Sequence, residues 1–233
     1  NLAITGVIPV SPTAKNVLSA DLNNDGKMDF ANSNDITNNG GFANINTSTT
    51  GTPSLQNFNS LLSSTSKYKV NASFLPLDIN LDGRTDIFGI NGTNSSQALL
   101  YYIKNTTTGT TFSSITGNTT NTDSYNQKLN ATNYFSGASG DLNGDGKADV
   151  VLSGTGRVSV LKNTTTQGNP EVKTFSFIES ATKAINTGIG YTVKLADLDL
   201  DGKLDVISTN STAGFVSVFR NDSANMNLSI MDA

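Results

Sequence analysis

Four stretches of this chain bring carboxylates and amides together at a spacing that suits a hard cation. They are Asp21-Leu-Asn-Asn-Asp-Gly-Lys-Met-Asp29, Asp78-Ile-Asn-Leu-Asp-Gly-Arg-Thr-Asp86, Asp141-Leu-Asn-Gly-Asp-Gly-Lys-Ala-Asp149 and Asp197-Leu-Asp-Leu-Asp-Gly-Lys-Leu-Asp205. With each stretch numbered 1 to 9, acid or amide side chains stand at 1, 3, 5 and 9, and glycine stands at 6. Alternating oxygen donors around a tight turn are what Ca²⁺ requires. The expected side-chain ligands are Asp21, Asn23, Asp25 and Asp29; Asp78, Asn80, Asp82 and Asp86; Asp141, Asn143, Asp145 and Asp149; and Asp197, Asp199, Asp201 and Asp205. Lys27, Arg84, Lys147 and Lys203, at position 7, are expected to contribute backbone carbonyls only, with their basic side chains pointing away from the ion.

Gly26, Gly83, Gly146 and Gly202 supply a positive φ that a side chain would oppose. Leu22, Ile79, Leu142 and Leu198, at position 2, anchor each loop to the core. The expectation is four Ca²⁺ sites, with the fourth loop tightest because Asp199 stands where the others have Asn. The competing reading is an Asx-rich hairpin turn without an ion. Helix-loop-helix calcium modules are excluded, because they need a bidentate Glu at position 12, where this chain has Asn32, Gly89, Leu152 or Ser208.

Composition narrows the remaining chemistry. The chain has no Cys, His or Trp, so disulfides, thiolate catalysis, the usual proton shuttle and the commonest transition-metal ligand are all missing. The four loops hold 13 of the 19 acids, which leaves the rest of the chain mildly basic. Four bound Ca²⁺ ions would move the formal charge from −4 to +4. The scattered lysines form no aromatic-interleaved patch, so nucleic acid is not an expected partner. Outside the loops, Asp35, Asp123, Glu171, Glu179, Asp222 and Asp232 show no spacing of an acid/base couple, and no enzymatic activity is expected.

The elements that must position the loops recur with them. Loop starts are separated by 57 (21 to 78), 63 (78 to 141) and 56 (141 to 197) residues. An apolar strand enters each loop, at 17–20, 72–77, 134–140 and 191–196, and a β-rich run leaves it, at 30–31, 87–90, 150–152 and 206–207. A third strand follows and ends in Asn46, Asn105, Asn163 or Asn221. A weaker fourth strand is expected near 54–62, 111–115, 172–178 and 226–230. Four short strands per repeat, joined by Gly, Asn and Thr turns, describe a propeller blade.

The repeated Asp-x-Asn/Asp-x-Asp-Gly-x-x-Asp core resembles the FG-GAP/VCBS repeat family, the calcium-binding blades of integrin α-chain heads and bacterial surface proteins. Of the family's further signatures, Phe88-Gly89 survives in one repeat and Gly137-Ala138 in another. The resemblance implies an all-β fold, a β-propeller of four blades with four antiparallel strands each, over residues 11–63, 64–118, 119–180 and 181–233. Family members commonly close with seven blades.

Residues 1–10 align with the fourth strand of a preceding blade and read as an extra N-terminal strand. It could close a four-bladed ring, belong to a larger propeller, or add to the open edge of a neighbouring copy. No apolar run approaches the ~18 residues that span a membrane, and membrane insertion is not expected. The chain opens on Asn1 and reads as a processed or excised segment of a longer precursor.

The functional expectation is an extracellular or cell-surface, calcium-stabilised structural or adhesive protein, self-assembling through strand exchange, with other copies of itself or surface glycans and proteins as partners. The alternative is a carbohydrate-binding propeller lectin, with Tyr101, Tyr102, Tyr125, Tyr134 and Tyr191 as stacking candidates. A calcium-dependent polysaccharide-active enzyme stands behind both. Eleven Asn-x-Ser/Thr sequons are present, and those at Asn46, Asn105, Asn163 and Asn221 recur at what reads as an exposed turn.

Overall fold

The computed structural model describes residues 16–33, 41–46, 48, 55–60, 73–91, 98–105, 127–129, 134–166, 177–210, 214–222 and 228–230. Among the described residues every regular element is a β-strand, and every pairing is antiparallel. The first repeat forms a sheet in the order β1 (Asn16–Ala20), β2 (Asp29–Ser33), β3 (Gly41–Asn46) and β4 (Leu55–Ser60). The second forms β5 (Ser73–Leu77), β6 (Asp86–Asn91), β7 (Ala98–Ile103) and β8 (Gln127–Leu129).

The third and fourth repeats share a six-stranded sheet. Its strands are β9 (Tyr134–Gly140), β10 (Asp149–Asn163), β11 (Phe177–Ala196), β12 (Asp205–Asn210), β13 (Phe215–Asn221) and β14 (Leu228–Ile230), paired in that order. β10 spans what are two separate strands in the other repeats. Its first part pairs with β9 and its second with β11, and the register shifts between Thr155 and Arg157, around the positive φ of Gly156. β11 likewise pairs with β10 up to Ile189 and with β12 from Gly190 onward.

All four nine-residue stretches connect strand pairs directly. Ala20 pairs with Asp29, Leu77 with Asp86, Gly140 with Asp149 and Ala196 with Asp205. Position 9 is thus already the first residue of the outgoing strand, and the acidic loops are hairpin loops.

The first strands of the repeats stack on one another, β1 against β5, β5 against β9 and β9 against β11. Cores lie between consecutive repeats as well as within them. Leu75, Ile79 and Phe88 of the second repeat pack with Val150, Leu152 and Leu161 of the third. Leu142, Val151 and Val158 of the third pack with Val193, Val206 and Phe219 of the fourth. The approach is close: a Cβ on Gly140 would stand 2.6 Å from Leu204 Cδ1.

The strands expected on either side of each loop lie where the sequence puts them, as do the third strands, except that β7 ends at Ile103 and stops short of Asn105. The fourth strands differ in detail. β8 lies past the expected blade boundary at residue 118, β11 runs across the boundary at residue 180, and β14 covers only the end of the expected stretch. The expected strand at 111–115 and the extra strand at 1–10 lie outside the described residues. The described sheets stand in series, with Val17 and Met28 exposed on the first repeat and Leu198, Phe215 and Val216 exposed on the last.

Candidate metal centres

Each acidic loop is a cage of backbone amides around carboxylates, built four times by the same bonds. The position-1 Asp accepts the position-5 amide on Oδ1 and the position-6 amide on Oδ2, at 3.1 and 2.8 Å in the first loop. The same pair is 3.1 and 2.7 Å at Asp78, 3.2 and 2.8 Å at Asp141, and 3.1 and 2.9 Å at Asp197. The position-3 oxygen also accepts the position-5 amide, and position 5 accepts the position-7 amide. Successive amides turn inward only because the backbone enters the left-handed region twice.

Position 6 is glycine each time, with φ between 81 and 86°. Position 4 is left-handed as well, in Asn24, Leu81, Gly144 and Leu200. The sequence reading missed this second turn point, although Asn and Gly at two of the four places were a signal for it. Leu81 and Leu200 hold a conformation that costs a non-glycine residue about 1–2 kcal/mol.

Position 9 acts differently from the others. Asp29, Asp86, Asp149 and Asp205 are buried, and both carboxylate oxygens accept backbone amides. One bond returns to position 2, from the amides of Leu22, Ile79, Leu142 and Leu198. The other comes from the Asn that ends the third strand or, for Asn105, lies two residues past it, with Asn46, Asn105, Asn163 and Asn221 donating at 2.6–2.9 Å. This acid therefore ties the loop both to its own start and to the neighbouring strand. Burial pushes the Asp29 and Asp149 carboxyls above their ordinary value of 3.8; the two amide bonds oppose that shift, and the position-1 and position-5 acids add to it.

The four terminal Asn residues carry more than the sequence suggested. Asn105 Nδ2 donates to the Leu22 carbonyl of the preceding repeat at 2.7 Å and to Thr85 in its own loop at 2.9 Å. Asn221 Nδ2 does the same, to Leu142 at 2.6 Å and Leu204 at 3.3 Å. These side chains staple repeat to repeat. Asn105, Asn163 and Asn221 are buried, so the expected exposed turn, with room for a glycan, is corrected at these three sequons. Among the stacking candidates, Tyr134 is a fully buried core residue bonded to the Ser159 hydroxyl at 2.6 Å. The other four tyrosine side chains lie outside the described residues.

Three of the four position-7 side chains lie beside an acid of their own loop, and in the third loop Lys162 approaches Asp145 at 3.8 Å. Lys27, Arg84 and Lys203 fold back towards the position-5 carboxylate, at 3.9, 3.4 and 3.6 Å. In the first three loops the position-3 Asn also donates from Nδ2 to that carboxylate, at 3.1–3.2 Å. Asp199 has no such donor. Arg220, from β13, takes its place, with Nε 2.6 Å from Asp199 and Nη2 3.4 Å from Asp201, and Nη1 reaches Asp222 at 3.2 Å. These carboxylates, Asp199 first, raise the Arg220 pKa further.

The donor sets fit a hard divalent cation: oxygens only, with no nitrogen or sulfur ligand among them. In the fourth loop, carboxylate oxygens of Asp197, Asp199 and Asp205 lie within 4.8 Å of one another, a grouping able to hold a metal ion. The other loops present an Asn oxygen in place of the third acid.

Fold and site together define an antiparallel β-hairpin repeat protein with an acidic turn site in each repeat. FG-GAP-like repeats match residues 78–152 and 141–208, and the chain belongs to that family. Repeats of this family suggest β-propeller-like proteins of surface and adhesion type, often bind calcium, and are generally structural rather than enzymatic. Comparison with curated proteins finds no match.

Proposed function

We propose that this chain is an extracellular or cell-surface protein of structural or adhesive role, built of four β-propeller-type blades whose hairpins are held by calcium. The observation that carries the reading is the fourfold recurrence of one carboxylate cage, closed each time by a buried position-9 Asp. Side chains at positions 1, 3, 5 and 9 of each loop would hold the ion, which supplies positive charge between acids that otherwise repel. Asn amides, lysines and Arg220 also place positive or donor groups beside these acids.

Extracellular calcium modules have Kd values around 10⁻⁴–10⁻³ M. At tenfold excess over Kd each site adds about 1.4 kcal/mol, so four sites add about 5–6 kcal/mol. That is comparable to the whole net stability of a domain. Saturating chelator is therefore expected to lower the melting temperature markedly, and readdition of Ca²⁺ to restore it. An unchanged melting temperature would remove calcium from the account.

Surface exposure rests on the family and on a described chain in which no helix is long and apolar enough to cross a membrane. Self-association belongs to the same reading, with residues 1–10 as the strand donated to a neighbour.

A further inference from the structure

The contacts between consecutive repeats follow one pattern, and the two ends of the described array carry its unmatched halves. In an internal junction the earlier repeat offers its position-2 residue. Leu22, Ile79 and Leu142 are 0, 0 and 2 % exposed, beneath the repeat that follows. It also offers a third-strand residue, Leu100 in the second repeat and Val158 in the third, both buried. The later repeat brings its position-8 residue onto that core, Ala148 at one junction and Leu204 at the next. At the first and last junctions it also brings the Asn staple onto the position-2 carbonyl.

The fourth repeat presents the first half of this pattern to solvent. Leu198, at position 2, is 45 % exposed, and Val216, equivalent to Leu100 and Val158, is 62 % exposed. The first repeat presents the second half. Met28, at position 8, is 59 % exposed, and Val17, equivalent to the buried Phe74 and Val193, is 67 % exposed. Asn46 is at the same place as the staples Asn105 and Asn221, and its Nδ2 donates to Met28 of its own loop at 3.1 Å, as theirs do to Thr85 and Leu204.

Both faces also change character at matching places. Lys194 is exposed where Leu18 and Leu75 are buried. At the other end, Asn44 stands where Leu161 and Phe219 pack on the preceding repeat, but it is already buried within its own chain, so the open part of that face is the part around Val17 and Met28.

We infer that the fourth repeat of one copy seats the first repeat of a second copy, reproducing the internal junction, with Asn46 donating to the Leu198 carbonyl across it. Such a contact is heterologous, so it propagates into a ring or a filament. It rests on the self-association proposed above and replaces an exchanged strand with a packed face as the joint.

The chain has no cysteine, so single thiols can mark the two faces. Met28→Cys and Leu198→Cys proteins, mixed and treated with a short bismaleimide in Ca²⁺, are expected to give a covalent product of twice the 24.4 kDa chain mass. Each protein alone is expected to give far less. Leu198→Asp is expected to reduce the particle mass, measured by light scattering, to that of one chain. A mixture that cross-links no better than its components overturns the inference, as does a doubly substituted chain that cross-links only within itself. Removing residues 1–10 leaves the product in place if the faces join, and abolishes it if strand exchange does. The product persisting in chelator would support this joint while counting against the calcium reading.

Discussion

Replacing Asp149 tests the position-9 clasp most sharply. Its side chain is fully buried, and it accepts the Asn163 amide at 2.8 Å and the Leu142 amide at 3.1 Å. Asp149→Ala leaves two buried amides unpaired, and each such loss costs about 1–3 kcal/mol. A total near 4 kcal/mol corresponds to a drop of about 8–16 °C in melting temperature for a chain of this size. Asp149→Asn keeps one acceptor and sets an NH₂ group against the other amide, so about 1–3 kcal/mol is expected. Because burial already disfavours the Asp149 charge, neutralisation returns part of that loss. The assay is thermal unfolding in chelator and then in Ca²⁺. Both variants should lose further ground in Ca²⁺, by about 1.4 kcal/mol at tenfold excess, as one site fails. Lys147→Ala, which removes a surface side chain, should stay within about 0.5 kcal/mol of wild type. If Asp149→Ala behaves like Lys147→Ala in both conditions, the clasp is not holding the hairpin.

Three further outcomes follow from the same geometry. Arg220→Ala should raise the calcium affinity of the fourth loop, because the guanidinium now bonds Asp199 and faces Asp201; isothermal titration showing equal or weaker affinity would contradict this. Leu200→Gly should stabilise the protein, since relief of about 1–2 kcal/mol at φ 61° exceeds the roughly 0.5–1 kcal/mol entropic cost of glycine; a lower melting temperature would refute the strain argument. In chelator, stability should fall as pH rises from about 3.8 through the raised values of Asp29 and Asp149, because the folded state holds those protons longer than the unfolded chain. Saturating Ca²⁺ should flatten that slope, and a rise in ion-free stability over the window would reverse the sign argued here.

Much of this was legible in the sequence because the loop chemistry is local. Oxygen donors at alternate positions and a glycine at position 6 identify a tight acidic turn without reference to the rest of the chain. Apolar segments on either side, repeated with the loop, locate the hairpin that carries it. What was not legible depends on contacts distant in sequence. The buried hydrogen bond from the Asn105 side chain to the Leu22 carbonyl joins residues 83 positions apart, and nothing near Asn105 distinguishes a staple from a turn or a sequon. Arg220 reaches back to Asp199 from the third strand, where the nearby Asp222 is an acidic partner but nothing points to the loop 21 residues earlier. The fourth strands were located less closely, as β8 at Gln127–Leu129 and the long β11 show, because Asn- and Thr-rich segments carry little periodicity. Nor do the residue types alone show that the Lys27, Arg84 and Lys203 side chains lie beside Asp25, Asp82 and Asp201.

Calcium stoichiometry tests the central claim most directly. Native mass spectrometry or isothermal titration of chelator-stripped protein should find four Ca²⁺ ions per chain, with a matching rise in melting temperature. Asp149→Ala should reduce the count to three. Protein that takes up no Ca²⁺ at millimolar concentration, and melts at the same temperature with and without it, would show that the four cages are Asx turns closed by their own amides.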